Sequence, residues 1–334
     1  MLLDRRAMRR VVVSCIASCL AAASLAAHAV AVNDLYEVTL PIRSTREAAF
    51  AEAMRLVAVR VSGRRDAGAR LGSVANNARQ YVQRFSFTAD NQLQVSFHTG
   101  SVDRLLSEAD LPIWGRERPL TLVLLNAPFG NASSMWLESS YPAPEREQMM
   151  QAARQRGTPL AWPTLDARDR GVLSAGASGP SELLALAAHH NANAVLVGRG
   201  HRDASGNLSV QWTLMSDEGT AEATGSPEDG VNLIADTFGR IYAASAGSLG
   251  TIAVEVSGIR DLDDYAAAMG YLESMTLVRS VGLEQVSGDT MRFQLAVRGD
   301  ATTLRRALAL DNTLVPVADD DGIGIERLRL RLQR

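Results

Sequence analysis

Over residues 248–334 apolar and polar residues alternate with period two, shift to helical spacing, and shift back, and no other feature constrains the fold as tightly. Ile252, Val254 and Val256 alternate with Thr251, Ala253 and Glu255, as in a strand buried on one face. Asp261 can cap the next helix, whose expected apolar face is Leu262, Tyr265, Met269 and Leu272. A strand over 277–286 and a tight turn at Gly288-Asp289 follow. The next strand sets Met291, Phe293, Leu295 and Val297 on one face and Arg292, Gln294 and Arg298 on the other. After a helix over 302–310, a final strand turns Leu328, Leu330 and Leu332 inward and Arg327, Arg329 and Arg331 outward. The order β-α-β-β-α-β is that of the ferredoxin-like split βαβ unit.

Residues 33–118 read similarly, as β-α-β-β-α. A strand over 35–42 precedes Ser44-Thr-Arg-Glu47, which has the form of a capping box. Phe50, Met54, Val57 and Val61 then form a buried helical stripe, with Arg46, Glu52, Arg55 and Arg60 off it and Gly63 as its stop. A short helix over 73–80, strands over 81–87 and 93–98, and a helix over 101–109 complete the segment. In residues 119–247 the run Leu120-Thr-Leu-Val-Leu-Leu125 reads as a strand buried on both faces. Helices expected over 145–156, 182–190 and 231–244 alternate with strands at 160–162, 194–198, 208–214 and 220–224. Two Gly- and Ser-rich stretches, 126–143 and 171–180, read as loops. The expected fold class is mixed α+β and α/β: ferredoxin-like units over 33–118 and 248–334 flank a central α/β domain over 119–247.

The first 29 residues read as a secretory signal peptide. Arg5, Arg6, Arg9 and Arg10 precede an apolar run that ends at Ala27-His28-Ala29, an A-x-A-like cleavage site. The run is shorter than the roughly 20 residues of a membrane span. Ile16-Ala-Ser-Cys19 loosely matches a lipidation site, but the residues after Cys19 stay apolar where a polar tether would begin. The expected location is therefore the periplasm, with a lipoprotein anchored at Cys19 as the minor alternative, and no transmembrane segment is expected after cleavage. Both cysteines, Cys15 and Cys19, fall inside the signal.

Composition excludes several chemistries. The chain has no lysine, so Schiff-base, P-loop and Ser-Lys mechanisms are ruled out. Once residues 1–29 are cleaved, no thiolate remains for catalysis or metal ligation. The segment 1–29 carries four arginines and one aspartate, which leaves the remainder at −6 against −3 for the whole chain. That acidic balance lacks the electrostatic footprint of a nucleic-acid binder.

Individual candidates have ordinary explanations. His98, His189, His190 and His201 form no H-E-x-x-H pattern, and His189-His190 reads as a cationic end to a helix. Gly176-Ala-Ser178-Gly179 is one residue short of a nucleophile elbow. Asp319-Asp-Asp-Gly322 lacks the spacing of a calcium loop and reads as a solvated turn. Asp261, Asp263 and Asp264 suit helix capping, and Trp114, Trp136 and Trp162 suit local packing. No cofactor, metal or catalytic residue is expected. Arg327, Arg329 and Arg331 alone carry chemical direction: three guanidiniums on one strand face either grip an anionic partner or blunt an exposed strand edge, and the pattern favours the edge.

The strings Tyr36-Glu-Val-Thr-Leu-Pro-Ile42, Val59-Arg-Val-Ser-Gly-Arg-Arg-Asp66 and Leu111-Pro-Ile-Trp-Gly-Arg-Glu-Arg-Pro119 resemble a family of exported proteobacterial proteins catalogued only as a domain of unknown function. Val195-Leu-Val-Gly198, Trp212, and Asp264-Tyr265 with Tyr271-Leu272 extend the resemblance over the whole mature chain. It implies export and a shared fold, and it carries no catalytic residues. In strand–helix order the middle segment also resembles the N-terminal domain of the Tol-Pal translocation protein, curli secretion lipoproteins and flagellar-basal-body assembly proteins. The expected function is a non-catalytic binding or assembly module of the cell envelope, meeting an envelope protein or an anionic envelope component. The alternative is an envelope-polymer hydrolase whose carboxylates are scattered along the chain. No oligomeric state is read from the sequence.

Overall fold

A computed structural model describes residues 30–129, 134–174, 179–244, 249–317 and 327–333. The expected signal peptide, Ser178 and the expected turn at Asp319–Asp321 lie outside the described residues. The fold is mixed α+β, and among the described residues no helix is long and apolar enough to cross a membrane.

The first unit pairs strands β2 (Glu37–Pro41), β3 (Val82–Phe87) and β4 (Gln92–Phe97) in the antiparallel order β2-β4-β3. Helix α1 (Arg46–Ser62) buries Phe50, Met54, Val57 and Val61 against the sheet as the spacing required. The start of α1 differs from expectation: Thr45, not Ser44, is the cap, and its hydroxyl accepts from the Ala48 amide at 3.1 Å. Arg60, expected off the buried stripe, is itself buried. Between α1 and β3 lie the short α2 (Ala67–Arg70) and a ten-residue 3₁₀ segment; α3 (Thr99–Glu108) follows β4. A small ribbon of β1 (Val30–Ala31) and β5 (Glu117–Arg118) ties the start of this unit to its exit.

The middle unit explains the apolar run. Strand β6 (Thr121–Ala127) lies between β9 (Ala194–Arg202), parallel to it, and the short β7 (Met135–Trp136) and β8 (Leu160–Ala161). Antiparallel β10 (Leu208–Ser216) and β11 (Gly219–Gly225) complete the sheet. Leu122 and Leu124 face α6 (Pro180–His189), while Val123 and Leu125 face α4 (Pro144–Arg156) and α7 (Pro227–Tyr242). With helices on both faces, no position of β6 needs to be polar. Residues 171–174, expected in a loop, instead end helix α5 (Ala167–Ser174).

The last unit departs from the expected topology. Strands β12 (Leu249–Ser257), β13 (Val278–Ser287), β14 (Thr290–Arg298), β15 (Leu314–Pro316) and β16 (Arg327–Leu332) pair in the order β13-β14-β12-β16-β15. Helices α8 (Leu262–Ser274) and α9 (Ala301–Ala309) cover one face, and Phe293, Leu295, Leu328 and Leu330 fill the core between. In a split βαβ unit the closing strand runs antiparallel to the first. Here β16 runs parallel to β12, because β15 takes the return direction at the edge and the chain then doubles back between them. Two further expectations fail. Leu262 is 77% exposed, since Asp261 caps the helix and leaves its first residue outside the core. Arg298, expected on the polar outer face, is buried.

Candidate functional site

The outer face of the last sheet holds the arginines that the sequence pointed to. Leu328, Leu330 and Leu332 are buried and Arg329 and Arg331 exposed, as the alternation requires; the side chain of Arg327 lies outside the described residues. The register sets Arg327 opposite Ala253, Arg329 opposite Glu255, and Arg331 opposite Ser257. On the other side of β12, Glu255 faces Arg292, whose guanidinium lies 3.5 Å from its carboxylate and donates to Gln285 at 3.1 Å. Glu255 thus stands in one row across the sheet between Arg292 and Arg329. Beside it, a shallow hollow of about 290 Å³ is lined by Glu255, Gln285, Ser287, Thr290 and Arg292.

At Arg329 and Arg331 this placement removes the edge as the reason for the arginines. Strand β16 is flanked on both sides, by β12 and by β15, and the Val317 amide extends the outer pairing to the Arg329 carbonyl. The edge belongs to β15, which is three residues long and contains Pro316; a short strand with a proline already discourages edge pairing.

A buried arginine joins the first and middle units. Arg118 is fully buried, and its five N–H groups all donate to backbone carbonyls. Nε donates to Gly115, Nη1 to Arg156 and Gly157, and Nη2 to Arg60 and Trp114, at 2.8–3.1 Å. The guanidinium lies over the Trp114 ring at 3.9 Å. Arg60 lies in the last turn of α1, Arg156 ends α4 and Gly157 caps it, so three of the five carbonyls belong to two helix C-termini whose dipoles favour a cation. Burial, then the neighbouring Arg60, lowers the Arg118 pKa to about 9, which leaves it charged at neutral pH. Gly157 has φ +65°, and a Cβ there would stand 2.6 Å from Arg118 Nη1, so this position requires glycine.

The same stretch holds the three units together. Ile113 and Ala244 exchange backbone hydrogen bonds, the Trp114 amide donates to Val61, and the Arg116 amide donates to Thr276 Oγ1. Arg156 reaches back to the Gly63 carbonyl and to Asp236. A second buried contact ties the first unit to the last: Asp103 accepts from the Tyr36 hydroxyl at 2.6 Å and from Arg298 at 3.2 Å. Burial and the Asp103 carboxylate push the Tyr36 phenol far above its ordinary range, which keeps it a neutral donor.

Two other places collect polar groups. A cleft of about 450 Å³ between the middle and last units includes Asp217, Glu218, Tyr242, Arg305, Arg306 and Asn312. Arg306 spans it to Glu218 at 3.3 Å, and burial raises the Tyr242 phenol. The second place is where α5 begins and α6 ends. There His189 and His190, expected only to complement a helix dipole, turn their Nε2 atoms toward Asp166 and Asp169. The sequence pattern singled out the two histidines and neither aspartate; Asp169 and His190 are 21 residues apart, and no fixed spacing marks the pair.

Residues 29–115 match the family described as Domain of unknown function (DUF8605). The match takes in the first unit and Trp114 and Gly115 of the junction. No curated protein matches the chain.

Proposed function

We propose that this chain is an exported, non-catalytic binding or assembly module of the cell envelope, and that it meets an anionic partner with the outer face of its last sheet. The observation that carries the reading is the placement of β16: Arg329 and Arg331 are exposed on a strand with neighbours on both sides, where edge protection gives them no task. Exposed guanidiniums at period two, with Arg292 in the same row as Arg329, complement carboxylates or phosphates. The buried arginine junction supports this reading, because it fixes the units without leaving an N–H of Arg118 for a substrate. Export through residues 1–29, units at 33–118, 119–247 and 248–334, and a resemblance to exported proteobacterial proteins that continues past Gly115 belong to the same proposal.

Replacing Arg327, Arg329 and Arg331 together with glutamine is expected to abolish binding to an envelope fraction while leaving the circular dichroism spectrum unchanged. Wild-type binding should weaken steeply with salt, since exposed charges are screened over about 10 Å at 0.1 M. Salt-insensitive binding that survives the triple substitution sinks the reading. N-terminal sequencing of the protein recovered from the periplasm is expected to begin at Val30; a mature pool that keeps Met1 contradicts export by cleavage.

A further inference from the structure

We infer that Asp166, Asp169 and His189 form a binding site for a divalent transition-metal ion, best fitted by Zn²⁺. One ligand atom from each of the three lies within 4.8 Å of the other two. The two carboxylates are fixed by reciprocal bonds, from the Asp169 amide to Asp166 Oδ1 at 2.8 Å and from the Asp166 amide to Asp169 Oδ2 at 3.2 Å.

The two histidines behave differently, and the difference points to an ion. His190 Nε2 lies 3.0 Å from Asp169 Oδ2, an ordinary hydrogen bond. His189 Nε2 lies 3.4 Å from Asp166 Oδ2, too long for a good one. With metal–ligand bonds of about 2.0–2.2 Å, two ligand atoms of a tetrahedral zinc site stand about 3.3–3.6 Å apart. The His189–Asp166 separation is that of two ligands sharing an ion. His190 then acts on the buried Asp169 as the outer contact that orients a ligating carboxylate.

The donor set selects the ion. Calcium and magnesium favour oxygen alone, whereas an imidazole nitrogen with two carboxylate oxygens suits zinc and its neighbours. The site has one dry side and one wet side: the Asp169 side chain is 3% exposed, while Asp166 and His189 face solvent. An ion enters from the wet side, and a fourth position stays open there. A dication between the carboxylates also replaces their mutual repulsion with attraction. This site lies in the middle unit, and its occupancy is independent of the arginine face.

Calorimetric titration of the chain from Val30 onward with Zn²⁺ tests the inference. One equivalent is expected to bind. Asp166→Asn and His189→Gln should each weaken binding by more than about tenfold, His190→Gln by about 10- to 100-fold through Asp169, and His201→Gln not at all. X-ray absorption at the zinc edge, which needs no variant, should show a nitrogen–oxygen shell with the scattering signature of a single imidazole. Failure of the wild type to bind Zn²⁺, or binding unchanged by both Asp166→Asn and His189→Gln, overturns it.

Discussion

Arg118→Met is expected to unfold the protein or to remove most of its stability. The substitution leaves five backbone carbonyls without donors in a site closed to water. Each unpaired buried acceptor costs about 1–3 kcal/mol, so the total is on the order of 5 kcal/mol or more, comparable with the whole stability of a domain at about 5–15 kcal/mol. Arg118→Lys should fall between methionine and wild type. It keeps the charge but has three donors instead of five, and it lacks the planar fork that spans two helix ends. Urea denaturation read by tryptophan fluorescence checks both. Midpoints equal to wild type for the methionine variant contradict the assignment of Arg118 as the junction.

Asp103→Ala is expected to cost about 3–5 kcal/mol, because it leaves the Arg298 guanidinium buried and without its carboxylate. The Tyr36 hydroxyl loses its acceptor in the same step. Replacing both ions by apolar residues, Asp103→Leu with Arg298→Met, should recover much of that loss, since no charge is then stranded. Thermal unfolding of the single and double variants gives the comparison. A double variant as unstable as Asp103→Ala shows that the cost lies in packing rather than in the stranded charge.

What the sequence made legible was set by side-chain periodicity. The inward leucines and outward arginines of β16, the Phe50–Val61 stripe and the doubly buried β6 all stand where their spacing put them. Topology was less legible, because alternation fixes which face a residue occupies and not which strand lies beside it. Hence β16 was expected to run antiparallel to β12 and is parallel to it. Arg118 and Arg60 left no pattern at all, since their partners are backbone carbonyls that every residue carries. Arg298 was misplaced because period two assigned it to the outer face, while the sheet ends against the first unit and supplies Asp103. The Asp166–His189 cluster depends on two helix ends meeting in space, and local spacing records nothing of that.

The insertion of β16 also sets an order of events during folding. Strand β12 is paired on its second side by a segment whose Leu330 carbonyl, bonded to Ser257, is 73 residues further along. The hairpin of β13 and β14 can form from neighbouring residues, but the parallel pairing must wait until that long loop has closed. Until then the central strand presents an open side, and the half-built sheet is a template for pairing with another chain. A late closing step therefore concentrates the aggregation hazard in the interval before β16 inserts, when β12 is paired on one side alone.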